Sequence, residues 1–347
     1  MVKELIQISK YAGMREDLVQ TGGGNSSVKL GLDCMLIKGM GVQMADMRSG
    51  AGYSVVDQRV FQAFFSRYQG EKVTPEQGEA LQAEAYLAGP RPAIETFFHA
   101  LTGRVTLHTH PVLVNALTAR TGGMEILKEL FPSALMVGYD SPGLALGVAF
   151  FDQMCQRGLN SEFRGIAFMK NHGLLVSGDC AESVINQTEY VMDQIADYLQ
   201  YDNRANKHVT QLYRWLSEVC DMEDNIVYRA RSADIQAAWE VLAENKHAFC
   251  PDSVVFCGKE ILVLERGGEV EQIKSYFRQF GAPLIILYEH ETYLVASSMK
   301  KSKEMESVVS FIAETASLNR GHAVDLLPEK EVNFLLNWEV EKFRKNM

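Results

Sequence analysis

Apolar positions change period along the chain, and each change predicts an element. Leu5, Ile6, Ile8, Tyr11, Met14 and Leu18 recur at three- and four-residue spacing, which predicts a helix over 3–19. A glycine-rich loop follows at Thr21-Gly-Gly-Gly-Asn25-Ser26-Ser27, then a short strand over 35–38 and a second glycine turn at Gly39-Met40-Gly41. Residues 53–68 and 76–87 read as amphipathic helices. The stretch 91–111, RPAIETFFHALTGRVTLHTHP, reads as a short helix carrying Glu95, a turn at Thr102–Gly103, and a strand over 104–109. Helices are predicted over 112–121, 124–130 and 144–157, with a strand over 135–137 and the Tyr139–Gly143 loop between the last two helices. Strands over 165–169 and 173–177 enclose Lys170-Asn171-His172, and helices over 181–201 and 204–220 follow.

After Asp224 the pattern changes to a β-hairpin and helix alternation. A helix is predicted over 232–245, a hairpin over 254–264 around Gly258-Lys259, and a helix over 269–279. A strand pair at 284–287 and 293–296 and helices over 302–318 and 329–345 complete the chain. This reads as two domains, 1–224 and 225–347, the second a smaller α+β domain.

Composition narrows the partners. The 347 residues are 47% hydrophobic and 22% charged, as in soluble globular proteins. A net charge of −10 argues against nucleic acid or an anionic membrane as the main partner. The six cysteines are scattered with no CxxC, which fits reduced thiols in a cytoplasmic protein. The N-terminus has no long apolar run and no 18 apolar residues are consecutive, so neither a signal peptide nor a membrane span is expected.

The chemistry gathers around the 104–109 strand. A strand has a side-chain period of two, so His108 and His110 point to one side, a good pair of metal ligands. With His172 and Glu95 they make a plausible zinc-type site: three imidazoles leave a coordination position open for substrate, and Glu95 is either a resting ligand or a base. Taken singly, His172 also reads as a hydrogen-bonded turn histidine and Glu95 as a helix-surface acid. His99, four residues after Glu95, reads as a partner behind the site or as a packed residue. Tyr139 reads as a proton donor or a packed aromatic, and Lys38 as an anion contact or a solvated lysine. The loop from Gly22 through Gly24 to Ser27 suits a phosphate or carboxylate held by backbone N–H groups, yet it lacks the spacing of a P-loop or a GxGxxG turn.

GGGNSSVK (22–29), KGMG (38–41), PAIETFFHAL (92–101), LHTHP (107–111), YDSPGLAL (139–146) and KNHGLLVSGD (170–179), in this order, resemble the class II aldolase/adducin family over roughly 1–222. The form is most similar to the larger members, such as the aldolase half of bifunctional rhamnulose-phosphate aldolase/dehydrogenases, although no dehydrogenase segment follows. The resemblance implies an α/β fold, an α/β/α sandwich around a mostly antiparallel central sheet. It also implies a divalent metal, zinc first with manganese, cobalt or nickel as alternatives, held by His108, His110 and His172. Glu95 would be the acid/base. Gly24, Asn25, Ser26, Ser27, Lys38, Gly39 and Gly41 would hold the anionic end of a small carbohydrate-type substrate. The implied activity is an aldolase or lyase working on a hydroxy-carbonyl sugar, sugar acid or sugar phosphate through a metal-stabilised enediolate, in a homo-oligomer, tetramer or dimer. An epimerase or decarboxylase on the same site, or an adducin-like binding module, are the alternatives. The sequence departs from phosphate-binding members at Ala93 and Ile94, where they carry serines before the catalytic acid.

Overall fold

Helix α1 (Val2–Gly13) buries Leu5, Ile8 and Ala12 along one face. It ends at Gly13, short of residue 19, where the backbone lies against the 44–46 turn: a Cβ on Gly13 would stand 2.0 Å from the Ala45 nitrogen. The computed structural model describes residues 1–159, 162–244 and 247–338. It divides into two compact units, Met1–Asn203 and Arg204–Met347.

In the first unit the strands are β1 (Asn25–Leu30), β2 (Cys34–Lys38), β3 (Tyr53–Asp57), β4 (Tyr86–Ala88), β5 (Val105–Thr109), β6 (Leu135–Val137), β7 (Gly165–Met169) and β8 (Gly173–Gly178). They form one sheet in the order β4-β3-β2-β1-β5-β8-β7-β6, antiparallel throughout except for the β6–β7 pair. The helices are α2 (Gln58–Arg67), α3 (Pro75–Ala85), α4 (Thr96–Ala100), α5 (Val112–Thr118), α6 (Gly123–Leu130), α7 (Leu144–Gln156) and α8 (Ala181–Leu199). Leu5 and Ile8 of α1, Leu113 and Leu117 of α5, and Val184 and Val191 of α8 pack with Leu36, Leu107 and Val176 on one face. Phe61 and Phe65 of α2, Phe97 of α4, and Leu144 and Val148 of α7 pack with Met35, Ile37 and Val56 on the other. The alternation along each strand thus yields the α/β/α sandwich. Each fully buried large apolar side chain contributes about 1.5–3 kcal/mol. An exposed pair such as Arg59–Asp57, with Arg59 61% exposed, is screened by solvent and adds little. The two layers therefore set the stability of this unit.

Two sequence expectations are corrected here. Residues 53–68 are not one helix: Tyr53-Ser-Val-Val-Asp57 is a strand with alternating burial, and Asp57 then caps α2 by accepting from the Arg59 N–H. The 76–87 helix likewise ends at Ala85, and Tyr86–Ala88 becomes edge strand β4.

The second unit holds a four-stranded sheet in the order β10-β11-β12-β9, with β9 (Ile226–Arg229), β10 (Leu262–Leu264), β11 (Ile285–Tyr288) and β12 (Glu291–Ala296). Its helices are α9 (Arg204–Ser217), α10 (Ala233–Ala237), α11 (Trp239–Ala243), α12 (Pro251–Cys257), α13 (Glu269–Phe280), α14 (Met299–Leu318) and α15 (Glu329–Asn337). The unit begins at Arg204, ahead of the composition change after residue 224, since α9 packs on β9 and α13. The hairpin expected over 254–264 is a helix followed by a strand. Pro251 opens α12 at a position where its missing N–H costs nothing, and Gly258 (φ +81°) closes it. The helical expectations at residue 245 and at 339–345 lie outside the described residues. Among the described residues, no helix is long and apolar enough to cross a membrane.

Candidate metal centre

The centre of the first sheet positions the histidines. β5 pairs with β1 and β8, placing His108 opposite Asn25 on one side and Leu175 on the other. Leu107 faces the α1 layer while His108 faces α4, where the Phe98 ring meets it edge-on at 5.3 Å. His110 follows just past the strand end. His172 comes from the tight turn between β7 and β8, where Asn171 takes φ +52°. Gly173 lets that turn press on β5: a Cβ there would stand 2.2 Å from the Thr109 carbonyl. Glu95 sits at the N-cap of α4 with φ −99° and ψ 17°, the sparsely populated bridge region where active-site residues often lie.

Four ligand atoms of Glu95, His108, His110 and His172 lie within 4.8 Å of one another. His108 Nε2 is 3.0 Å from His172 Nε2 and 3.1 Å from His110 Nε2. Glu95 Oε1 is 2.9 Å from His172 Nε2, and Oε2 is 3.4 Å from His108 Nε2. The His108 tautomer follows from its surroundings. Nδ1 is 3.0 Å from the Leu174 carbonyl, which only accepts, so Nδ1 carries the proton and Nε2 is a bare lone pair. Two more imidazole nitrogens crowd that lone pair, and only one of them can donate to it. A cation would satisfy all three at once. Zinc–nitrogen bonds of about 2.05 Å in tetrahedral geometry set nitrogens about 3.3 Å apart, close to the spacing found. The residues present therefore fit a divalent metal.

Electrostatics favour the same reading. Burial pushes His108 well down from its ordinary range, Glu95 only partly opposing it, and burial also lowers His110. Burial would raise the Glu95 carboxyl, but the His108 and His172 imidazoles and the Asn25 amide overcome it and hold Glu95 well below the usual carboxylate range. Burial thus shifts His108 and His110 toward the uncharged form, the form in which an imidazole ligates a metal. At pH 6, two ordinary imidazoles would together release about 1.5 protons on binding a metal. Zinc uptake at pH 6 is therefore expected to release fewer from this pair, a quantity read by calorimetry in two buffers of different ionisation enthalpy. Release near the ordinary value would show that the imidazoles are charged before the metal arrives.

The remaining sequence candidates divide. Asn25 joins the cluster, its Nδ2 donating to Glu95 Oε2 at 2.8 Å. Ser27 lies one layer behind, 2.7 Å from His99 Nδ1. Ser26 faces the opposite side of the sheet, 2.7 Å from the Ser9 hydroxyl. Gly23 and Gly24 pass close to the ligands: a Cβ on Gly23 would stand 3.1 Å from His110 Nδ1, and one on Gly24 2.7 Å from the His108 carbonyl. Lys38 is 2% exposed, and its ammonium donates to the Gly22 carbonyl at 2.9 Å. Burial lowers it to about 8, against the pull of Glu95. In the 39–41 turn, the Gly39 and Met40 N–H groups already bond to Gly52 and Arg91 carbonyls. Tyr139 stands 62% exposed on the loop between β6 and α7. Sequence reasoning did not foresee that Asn25 grips Glu95 or that Lys38 is enclosed. The four-residue spacing of Glu95 and His99 was the available signal for the buried polar groups.

Residues 3–199 match the family model of the class II aldolase and adducin N-terminal domain. The N-terminal class II aldolase domain of a conserved protein from Thermoplasma acidophilum has a similar fold, with TM-score 0.50 and 20% identity over 57% of this chain and 93% of that one. A sugar-phosphate aldolase from Thermotoga maritima aligns at TM-score 0.42 and 15% identity, covering 57% of this chain and 93% of its own. The Bacillus subtilis (strain 168) protein named uncharacterized oxidoreductase YuxG is 25% identical over 222 residues, 60% of this chain. That match spans 30% of the relative's length. The family model takes in more than half of the chain, which therefore belongs to the class II aldolase and adducin family.

Proposed function

We propose that the protein is a divalent-metal lyase that breaks or forms a carbon–carbon bond in a hydroxy-carbonyl sugar, sugar acid or sugar phosphate. The convergence of three imidazole nitrogens on one ionised, buried carboxylate carries this reading. His108, His110 and His172 would hold the cation, zinc or a similar divalent ion. Bound there, it would polarise the substrate oxygens and stabilise the negative charge that develops as the bond breaks. Glu95, kept ionised by its neighbours, would take up a proton from the substrate and return it to the product. Lys38, beside the Gly22–Gly24 loop, would hold an anionic end of the substrate. Ala93 and Ile94 offer no side-chain donors ahead of Glu95, an observation that favours a carboxylate over a phosphate there.

Glu95→Gln keeps the shape and the Asn25 contact but removes the base. It is expected to retain bound metal, at lower affinity, and to lose about 10²–10⁴-fold in turnover. A panel of sugar acids and sugar phosphates, with product analysis, reads the loss. Two carbonyl fragments mark aldol cleavage, an inverted centre marks epimerisation, and carbon dioxide marks decarboxylation. Unchanged turnover in Glu95→Gln would remove the carboxylate from the mechanism.

A further inference from the structure

Behind Glu95 runs a buried line of hydrogen bonds that metal ligation does not itself require. Ser27 Oγ lies 2.7 Å from His99 Nδ1, His99 Nε2 meets Asn25 Oδ1, and Asn25 Nδ2 donates to Glu95 Oε2 at 2.8 Å. None of Ser27, His99 and Asn25 is more than 3% exposed. Two periodicities build the line. Asn25 and Ser27 alternate on one face of β1, and Glu95 at the N-cap of α4 and His99 in its last turn stand four residues apart, so the two pairs interleave.

The carboxylate fixes the direction of every bond. It only accepts, so Asn25 must present its NH₂ to Glu95 and its oxygen to His99. His99 must then donate from Nε2. Burial pushes this imidazole down to about 3, so it is neutral and its Nδ1 accepts the Ser27 hydroxyl proton. Turning the Asn25 amide over would set its oxygen against the carboxylate. Each member thus has one satisfied orientation, and a satisfied buried network is rigid.

We propose that Ser27, His99 and Asn25 are a positioning relay that fixes the Glu95 carboxylate against the histidine cluster. The three are positioning residues and touch no reacting atom. The proposal rests on the reading of Glu95 and the three histidines given above, and it adds what aims Glu95.

Two measurements test it, and neither needs the substrate. In the metal-free protein labelled with ¹⁵N-histidine, His99, assigned by the signal lost in His99→Gln, is expected as the neutral Nε2–H tautomer, and its signal is expected to move in Ser27→Ala. The Nδ1–H tautomer would overturn the relay, because Nε2 could not then donate to Asn25. The second measurement is Co²⁺ affinity in a double-mutant cycle. His99→Leu is expected to weaken Co²⁺ binding about tenfold when Glu95 is present, as changes behind a metal ligand do, and less than twofold alongside Glu95→Gln. His99→Gln, whose amide still offers Asn25 a donor, is expected to recover most of the loss. Equal losses in both backgrounds would reduce His99 to a packing role and overturn the proposal. Should His99→Leu not fold, Ser27→Ala goes through the same cycle with an expected loss of about fivefold. A wild-type protein that takes up no Co²⁺ would sink the metal reading, whereas the His99 tautomer and its response to Ser27→Ala judge the relay by themselves.

Discussion

Replacing His108 by alanine is expected to strip the protein of bound divalent metal and of turnover together. His108 is fully buried and is the hinge of the cluster. Its Nε2 is the atom that both other imidazoles approach, at 3.0 and 3.1 Å. Its Nδ1–H bond to the Leu174 carbonyl prevents the ring from turning away. Loss of a residue behind a ligand typically weakens metal binding about 10–100-fold, and loss of the ligand itself exceeds that. His110 and His172 would remain with Glu95, but without the ring that holds their nitrogens at bonding distance from a shared ion. Elemental analysis of the purified proteins reads the result: about one zinc, manganese, cobalt or nickel per chain in the wild type, and none in His108→Ala. The variant also removes the His108 donor from the Leu174 carbonyl, so circular dichroism must show the fold retained. Metal bound as well by His108→Ala would place the ion elsewhere. No metal in either protein, even after incubation with divalent ions, would favour the adducin-like binding module.

The sequence made this centre visible because its signal is local. His-x-His on a strand needs only the two-residue period, and the β5 strand appears where the alternation places it, at Val105–Thr109. Glu95 and His172, remote in sequence and ambiguous when taken singly, group with the pair by residue type, and the fold brings all four within 4.8 Å of one another. Two of the misread segments share one cause. Tyr53–Asp57 and Pro251–Cys257 are short apolar runs in which periodicity cannot separate strand from helix. Capping chemistry decides both, through Asp57 in one and Pro251 with Gly258 in the other. Lys38 and Ser26 show a different limit. A lysine at the end of a strand is ordinarily solvated, and a serine in a glycine-rich loop suggests a ligand contact. Here tertiary packing encloses the lysine at 2% exposure and turns the serine toward Ser9 on the far face. Neither outcome is written in the residues within a few positions of either one.

Arg15→Ala is expected to cost the first unit about 3–5 kcal/mol, the usual cost of leaving buried partners without their counter-charge. Arg15 is 1% exposed and spans two acids: Nε and Nη2 each meet an Asp17 carboxylate oxygen at 2.7 Å, and Nη1 meets Glu189 Oε1 at 2.8 Å. Tyr11 donates to the same Glu189 oxygen at 2.9 Å. With the guanidinium gone, Asp17, itself 4% exposed, is left in a poorly solvated place without its counter-charge. For a unit of this size the loss corresponds to roughly 6–20 °C in Tm by calorimetry. Arg15→Met, which restores volume without charge, should fare little better, because the acids remain. Replacing Arg15, Asp17 and Glu189 together by apolar residues of matched volume should recover most of the loss, since desolvation and attraction nearly cancel in such networks. A cost below about 1 kcal/mol for Arg15→Ala would mean that water reaches the acids and the triad behaves as an exposed pair. The damage should also reach the histidine cluster. The Asp17 carbonyl accepts the Val112 N–H at 2.9 Å, and Gln20 Nε2 lies 3.4 Å from the His110 carbonyl, so the turn that Arg15 ties down also holds the chain where it leaves β5. Weaker metal binding at temperatures where the variant is still folded would locate that coupling in the turn after α1.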